Sequence, residues 1–293
     1  MEFGRLITAM VTPFDSDLAV DWKQTERLID YLIEDQKADA LVVCGSTGEA
    51  STLKDDEKIR LYETAVKVAD GRCKIIAGTG SNETDHSLDM TRAAQKVGAD
   101  GVLIVAPYYN KPSQEGIYRH FKEVASVTDL PVMCYNIPGR TVVGVNTETM
   151  LRLAEIPNIV ATKESHCDLD HISTLVNNAP DGFRVYCGDD SLSLPYLSVG
   201  AYGTVSVASH MIGVQMQEMI TAFINGEIKH AIELHHKLFP IFKGLFIAPN
   251  PAPVKYALKL SGFDAGGVRL PLVEVDEKES RQIAALFTQP LQV

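Results

Sequence analysis

Short apolar runs alternate with amphipathic stretches over most of the chain. Eight such runs lie between residues 5 and 210, and each has the length and composition of a buried β-strand. The runs are Leu6–Val11, Ala40–Cys44, Lys74–Ala77, Gly101–Ala106, Val132–Tyr135, Ile159–Lys163, Arg184–Cys187 and Gly203–Val207. Between them apolar residues recur with helical period, as Leu28, Leu32 and Ile33 do after the first run. Each strand-plus-helix unit takes roughly 25 to 35 residues, the length of a βαβ unit.

Eight strands that alternate with helices fit the (β/α)8 TIM barrel, an α/β fold of about 250 residues. A doubly wound open sheet is the competing arrangement, and its dinucleotide-binding members carry a G-x-G-x-x-G turn. The nearest segment here, Gly78-Thr79-Gly80-Ser81-Asn82-Glu83, lacks the third glycine and leads into polar residues. We therefore predict the barrel and no dinucleotide site.

The alternation stops after about residue 225. Helical period resumes in Glu227–Phe246, Val254–Leu260 and Glu277–Phe287, with a proline-rich break over residues 248–253. Clustered prolines mark a break between helices because proline cannot continue a helix. We predict a (β/α)8 catalytic barrel over residues 1–225 and an all-helical C-terminal domain over residues 226–293.

Composition and charge exclude several classes of protein. The formal net charge is −11, which repels nucleic acid and anionic membranes. No apolar run approaches the ~20 residues needed to span a bilayer, and the N-terminus lacks the pattern of a signal peptide. The five cysteines show no C-x-x-C spacing, which is typical of free thiols in a reducing compartment. We predict a soluble, cytoplasmic protein that binds neither nucleic acid nor membrane.

Lys163 ends a β-branched apolar run and precedes Glu164. An amine at the edge of an apolar interior can lose its proton, because desolvation disfavours the ammonium form. A neutral lysine can attack a ketone and form a Schiff base. The alternative is a lysine that reaches water from the strand end or pairs with Glu164. The neighbouring strand ends favour the reactive lysine.

Polar groups follow the other predicted strands, and catalytic groups of this fold collect at the carboxyl ends of the strands. Gly45-Ser46-Thr47-Gly48-Glu49 offers backbone amides and two hydroxyls to a small carboxylate, although such a turn can also serve only as a helix cap. Tyr108 or Tyr109 after the fourth strand and Tyr135 after the fifth could pass protons through a hydroxyl such as that of Ser46, but a single tyrosine more often packs with its hydroxyl at the surface. Arg140 could clamp a carboxylate or be a surface arginine, with about equal weight. Together the groups suit imine chemistry on a small keto acid.

Candidate metal ligands are less convincing. The segment His166-Cys167-Asp168-Leu169-Asp170-His171 contains ligating groups, but it fits a loop that leads into a helix capped by Asp168. His235 and His236 are adjacent within a predicted helix and face different directions. Gly188 and the two aspartates after it could bind a cation, but they also fit a strand end with a helix cap. We predict no metal site.

The chain resembles the N-acetylneuraminate lyase and dihydrodipicolinate synthase superfamily over essentially its whole length, and the dihydrodipicolinate synthases within it. Lys163-Glu164 and the Gly45–Glu49 loop are typical of the superfamily, and Arg140 is typical of the synthases. The matching motifs also include Ala9-Met10-Val11-Thr12-Pro13-Phe14, Ala77-Gly78-Thr79-Gly80, Pro107-Tyr108-Tyr109-Asn110-Lys111-Pro112, Tyr135-Asn136-Ile137-Pro138-Gly139-Arg140, Gly188-Asp189-Asp190, Pro249-Asn250-Pro251 and Arg269-Leu270-Pro271-Leu272.

The resemblance implies condensation of pyruvate with aspartate 4-semialdehyde on the route to diaminopimelate and lysine. It also implies a barrel with a C-terminal helical domain, a homotetramer built as a dimer of dimers, and no metal or organic cofactor. Lys163 would form the imine, and Tyr135 would donate and accept the proton. The residues implied around them are Ser46 and Tyr109 in a proton relay, with Tyr109 from a neighbouring subunit, and Thr47, Val205, Gly188 and Arg140 at the substrates.

Three departures from the family pattern affect what we expect. Ser46 stands where most synthases have threonine, and the segment Ser165–Asp168 is bulkier than the usual glycine-containing loop. Relatives inhibited by lysine carry two histidines and a glutamate where this chain has Asp55, Lys58 and His86, so we expect weak or absent feedback. The alternatives are a sialic acid or keto-sugar-acid aldolase with the same imine chemistry, and a non-catalytic barrel that binds a keto acid.

Overall fold

A computed structural model describes residues 3–287 of the chain. Eight parallel strands close into a barrel in sequence order, and the last strand pairs with the first. The strands are β1 (Leu6–Ala9), β2 (Ala40–Val43), β3 (Lys74–Gly78), β4 (Gly101–Val105), β5 (Val132–Asn136), β6 (Ile159–Glu164), β7 (Arg184–Cys187) and β8 (Gly203–Ser206). The predicted (β/α)8 barrel is confirmed, and the ends of the eight predicted strands differ from the observed ones by at most two residues.

Helices connect the strands on the outside of the barrel. The barrel helices are α1 (Trp22–Glu34), α2 (Asp55–Ala69), α3 (Thr84–Lys96), α4 (Gln114–Ser126), α5 (Pro138–Thr141), α6 (Thr147–Ala154), α7 (Leu169–Asn178), α8 (Ser193–Ser198) and α9 (Ser209–Ile224). Side chains of polar residues start several of them by accepting backbone N–H groups, as expected of N-caps. Asp168, predicted as the cap of α7, accepts from the N–H groups of Asp170 and His171.

Three further helices follow the barrel, α10 (Ile228–Gly244), α11 (Ala252–Leu260) and α12 (Glu277–Leu286). The predicted helical character of the C-terminal region is therefore confirmed as far as residue 287. The division at residue 225 stays a prediction, and residues 1–2 and 288–293 lie outside the described part of the chain. Within residues 3–287, no helix is both long and apolar enough to cross a membrane.

Side chains divide between two apolar layers because successive residues of a strand point to opposite faces. The larger layer lies between the strands and the surrounding helices. A smaller layer fills the inside of the barrel, and Tyr135 and Val205 belong to it together with Ala161. Lys163, two residues after Ala161 on β6, therefore points into the barrel from the same face.

Candidate active site

Lys163 lies inside the barrel beside Tyr135. The two residues are register partners on β6 and β5, and the Lys163 Nζ lies 4.1 Å from the centre of the Tyr135 ring. Both side chains are buried, with 6% of Lys163 and 5% of Tyr135 exposed. A buried amine beside a phenol brings a nucleophile and a proton carrier together in one place.

A cavity of about 520 Å³ opens at the carboxyl ends of the strands. Ser46, Tyr135 and Arg140 line it, so the structure brings together three residues that the sequence analysis placed in one site. Arg140 lies in α5 and is exposed, which leaves its guanidinium free to meet an incoming anion. The cavity therefore has a buried amine next to one wall and a cation at another.

Thr47 belongs to a loop that the C-terminal region holds in place. The Asn250 side-chain amide donates to Thr47 Oγ1 at 2.9 Å. The Glu49 carboxylate accepts the Arg269 N–H at 2.9 Å and forms a buried ion pair of 2.8 Å with Lys255. The sequence analysis gave Asn250, Lys255 and Arg269 no role in the site, because their contacts join positions about 200 residues apart. The region beyond the barrel is thus part of the support of the site.

Gly188 at the end of β7 packs directly against Lys163. A Cβ atom on this glycine would come 2.7 Å from Lys163 Cε and 2.0 Å from Ser165 Oγ. Because Gly188 has no side chain, it leaves room for the side chains of Lys163 and Ser165. The Ser165 hydroxyl is buried next to the lysine and has no hydrogen-bond partner within the described chain, which is uncommon for a buried polar atom.

Tyr109 is not part of this arrangement within one chain. It is 86% exposed and has a φ of +72°. Among the described residues, no hydrogen bond joins the hydroxyls of Ser46, Tyr109 and Tyr135, so the relay implied by the family is not formed within one subunit. Val205 is buried in the inner layer of the barrel, on the same side of the sheet as Tyr135.

Glu164 points to the opposite side of β6 and is fully buried. Its carboxylate accepts hydrogen bonds from the Asn136 amide at 2.8 Å, the Thr162 hydroxyl at 2.7 Å and His166 Nε2 at 2.9 Å. Burial alone would raise the pKa of the Glu164 carboxyl, but the hydrogen bond from His166 and the nearby His171 hold it below its ordinary value. Glu164 is therefore an anion, and its carboxylate points away from the Lys163 amine.

Asp55, Lys58 and His86, on which the expectation of weak lysine feedback rests, lie in contact through Asp55. Asp55 lies 3.2 Å from the Lys58 amine and 2.9 Å from His86 Nε2. Arg269 pairs with the neighbouring Glu57, and His86 is the residue that the sequence analysis expects in place of a glutamate. This arrangement is consistent with the prediction of weak feedback, which stays a prediction.

Comparison with known proteins places the chain in a family. The sequence model described as the Dihydrodipicolinate synthetase family matches residues 2–290. The 4-hydroxy-tetrahydrodipicolinate synthase of Bacillus subtilis is 52% identical over 290 residues, covering 99% of this chain and 100% of that protein. The 4-hydroxy-tetrahydrodipicolinate synthase 2 of Halalkalibacterium halodurans is 52% identical over 289 residues and 99% of each chain.

Solved structures agree with the sequence comparison. The dihydrodipicolinate synthase of Bacillus anthracis superposes with a TM-score of 0.96 at 51% identity, over 98% of each chain. The enzyme of Cyanidioschyzon merolae, solved with lysine bound, has a TM-score of 0.95 at 42% identity, over 97% of each chain. With the barrel, the buried lysine and the full-length match to the family model, the chain belongs to the dihydrodipicolinate synthetase family.

Proposed function

We infer that the chain is a 4-hydroxy-tetrahydrodipicolinate synthase, a lyase that condenses pyruvate with L-aspartate 4-semialdehyde in lysine and diaminopimelate biosynthesis. The observation that carries this proposal is the placement of Lys163 against Tyr135 inside the barrel mouth. A buried amine beside a phenol has the two groups that imine formation needs, a nucleophile and a proton carrier.

The reaction then proceeds by covalent catalysis. The neutral Lys163 amine attacks the ketone carbon of pyruvate, and loss of water leaves an imine. The imine withdraws electrons, so the methyl group loses a proton and the resulting enamine carbon attacks the aldehyde of the second substrate. The amine of the adduct attacks the imine carbon to close the ring, and Lys163 leaves as the free amine. The steps use amine and phenol chemistry, and we propose no metal or organic cofactor for them.

The other residues take supporting roles in this proposal. Tyr135 transfers protons, and Ser46 and Tyr109 complete its relay. Thr47 and the backbone near Val205 and Gly188 hold pyruvate. Arg140 meets the carboxylate of the semialdehyde, since a guanidinium binds a carboxylate through two parallel hydrogen bonds.

Ser165 is a further candidate, which the sequence analysis did not assign. Its hydroxyl is buried beside Gly188 and Lys163 and has no hydrogen-bond partner among residues 3–287. A bound substrate would bring oxygen atoms next to Lys163. We propose that Ser165 donates a hydrogen bond to one of them, which would satisfy the hydroxyl only when the site is occupied.

An oligomer would complete the relay. Tyr109 is 86% exposed in one chain, so its side chain is available to a second subunit. We propose a homotetramer, built as a dimer of dimers, in which Tyr109 enters the neighbouring site. We also propose that the enzyme acts in the cytoplasm, where its five cysteines stay free thiols.

Borohydride reduction tests the central step. Incubation with pyruvate and borohydride should attach pyruvate to Lys163 irreversibly, and mass spectrometry of peptides would locate the adduct. The Lys163→Ala variant should form no adduct and lose nearly all activity. Lys58→Ala is the matched control, because Lys58 lines the same cavity and should leave trapping intact. An adduct on another lysine, or substantial activity without Lys163, would refute the assignment.

The choice of second substrate needs a separate experiment. Pyruvate consumption should be fast with aspartate semialdehyde and negligible with N-acetylmannosamine or glyceraldehyde. Turnover with a sugar aldehyde alone would keep Lys163 as the nucleophile but make the enzyme a keto-sugar-acid aldolase, and our interpretation of Arg140 would be wrong. Pyruvate trapping without turnover of any aldehyde would indicate a keto-acid-binding barrel.

A further inference from the structure

Glu164, His166 and His171 form a cluster on the outer side of β6, turned away from Lys163. Glu164 Oε2 lies 2.9 Å from His166 Nε2 and 3.5 Å from His171 Nε2. One ligating atom from each of the three residues lies within 4.8 Å of the other two. The sequence alone predicts no metal in residues 166–171; against that expectation, we propose that this cluster binds a divalent transition-metal ion of the zinc type, with one carboxylate and two imidazoles as its ligands.

The charge of the cluster is the first argument. The Glu164 side chain is 0% exposed, and its amide and hydroxyl donors, Asn136 and Thr162, carry no charge. The two histidines are its ion-pair partners. A buried carboxylate is costly unless a cation compensates it. The site therefore calls for positive charge, which a metal ion held by the carboxylate and the two imidazoles would supply.

The second argument is an imidazole nitrogen held only by a long contact. His171 is nine-tenths buried, with 9% of its side chain exposed, and its Nε2 lies 3.5 Å from the Glu164 carboxylate with no shorter hydrogen bond among the described residues. Its other ring nitrogen, Nδ1, lies 2.7 Å from Thr147 Oγ1. A histidine that ligates a metal uses one nitrogen for the ion and hydrogen-bonds the other to a polar neighbour. His171 has this arrangement.

The two separations from the Glu164 carboxylate suit a tetrahedral ion after a small adjustment, and the two imidazoles, whose ligating atoms lie within 4.8 Å of each other, must also close on the ion. Zinc lies about 2.0–2.2 Å from nitrogen and oxygen ligands, so two ligand atoms stand about 3.3 Å apart. The separation of His171 from Glu164 is already close to this value, and that of His166 must lengthen by about 0.4 Å. His166 Nδ1 accepts the Asp168 N–H at 3.2 Å. This bond must give way when the metal takes Nε2, because Nδ1 then carries the ring proton. The side chain of His166 is 16% exposed, which leaves a route for the ion and for a water as fourth ligand.

Zinc binding to the purified full-length chain tests the proposal without reference to catalysis. Protein stripped with a chelator would be titrated with Zn²⁺ in competition with a chromophoric indicator. We expect one Zn²⁺ per chain. His166→Gln and His171→Gln should each weaken binding at least tenfold, since even residues that only orient a ligand cost about 10–100-fold. Zn²⁺ should also raise the Tm of the wild-type chain but not that of the two variants.

Three further variants keep the result interpretable. His236→Gln removes an exposed histidine elsewhere and Cys167→Ser removes the exposed thiol beside His166, and both should bind as the wild type does. Thr147→Val leaves all three ligands in place, so a loss of about tenfold would support the role of His171 even if the histidine variants fail to fold. The proposal is overturned if the wild-type chain binds no Zn²⁺. It is equally overturned if His166→Gln and His171→Gln bind as tightly as the wild type, or if Cys167→Ser abolishes binding.

Discussion

Replacing Gly188 by alanine should move Lys163 and thereby slow the reaction. The added Cβ would lie 2.7 Å from Lys163 Cε and 2.0 Å from Ser165 Oγ, whereas carbon atoms in contact prefer about 3.5–4.0 Å. The lysine must therefore shift by roughly 0.8 Å, and Ser165 must rotate away. A misplacement of about 1 Å can cost about 100-fold in rate. Overpacking of this kind typically costs a further 1–3 kcal/mol of stability.

Measuring kcat/KM and the free energy of unfolding on the same variant separates the loss of rate from the loss of stability. We expect kcat/KM of Gly188→Ala to fall about 100-fold, and the free energy of unfolding in urea to fall by about 1–3 kcal/mol. Adding Ser165→Ala removes the nearer clash, so the double variant should regain part of the stability but little of the rate, because the contact with Lys163 remains. Gly116→Ala is the control, since its new Cβ would have no neighbour closer than 3.2 Å. A Gly188→Ala enzyme with unchanged kcat/KM would refute the reasoning.

Three other predictions concern stability and regulation. Lys255→Met should destabilise the protein by about 3–5 kcal/mol in urea unfolding, because it leaves the buried Glu49 carboxylate unpaired; an unchanged midpoint would show that the pair contributes nothing. Burial lowers the pKa of His120 and of His210 to about 4, below the unfolded value of about 6.5. The unfolded chain then binds more protons between these values, so stability should be full above pH 6.5 and fall by up to roughly 3 kcal/mol per histidine as the pH drops to 4. Equal unfolding free energies at pH 7 and pH 4 would contradict this. Added lysine should inhibit weakly or not at all, because His86 replaces a carboxylate; micromolar inhibition would overturn that expectation.

The barrel was predictable because each strand carries its own signal. Parallel strands that are buried on both faces consist of short apolar runs, and the helices between them have a different period. Lys163, Tyr135 and Arg140 could be placed in one site for a related reason. The barrel collects the carboxyl ends of all its strands at one mouth, so position along each strand is enough to locate a residue.

The support of the Gly45–Glu49 loop could not be predicted in this way. Asn250, Lys255 and Arg269 contact this loop from the C-terminal region. The periodicity of apolar residues gives no information on contacts between segments about 200 residues apart. The sequence showed only a helical extension after the barrel. A buried ion pair and two hydrogen bonds make that extension a part of the site, which is why we expect Lys255→Met to weaken pyruvate binding as well as stability.

The pair Lys163 and Glu164 shows most clearly where reasoning from sequence order stops. Adjacent opposite charges at a strand end could have neutralised each other, and that was the simplest alternative to a reactive lysine. A strand turns successive side chains to opposite faces, so the amine enters the barrel and meets Tyr135, whereas the carboxylate faces the helices and meets His166. Because Glu164 faces the other way, the amine has the Tyr135 ring as its neighbour and is left available to the substrate. The same separation leaves Glu164 in need of a cation of its own. The alternation of side chains along β6 therefore accounts both for the position of Lys163 inside the barrel and for the metal site that we propose around Glu164 on the outer face of the strand.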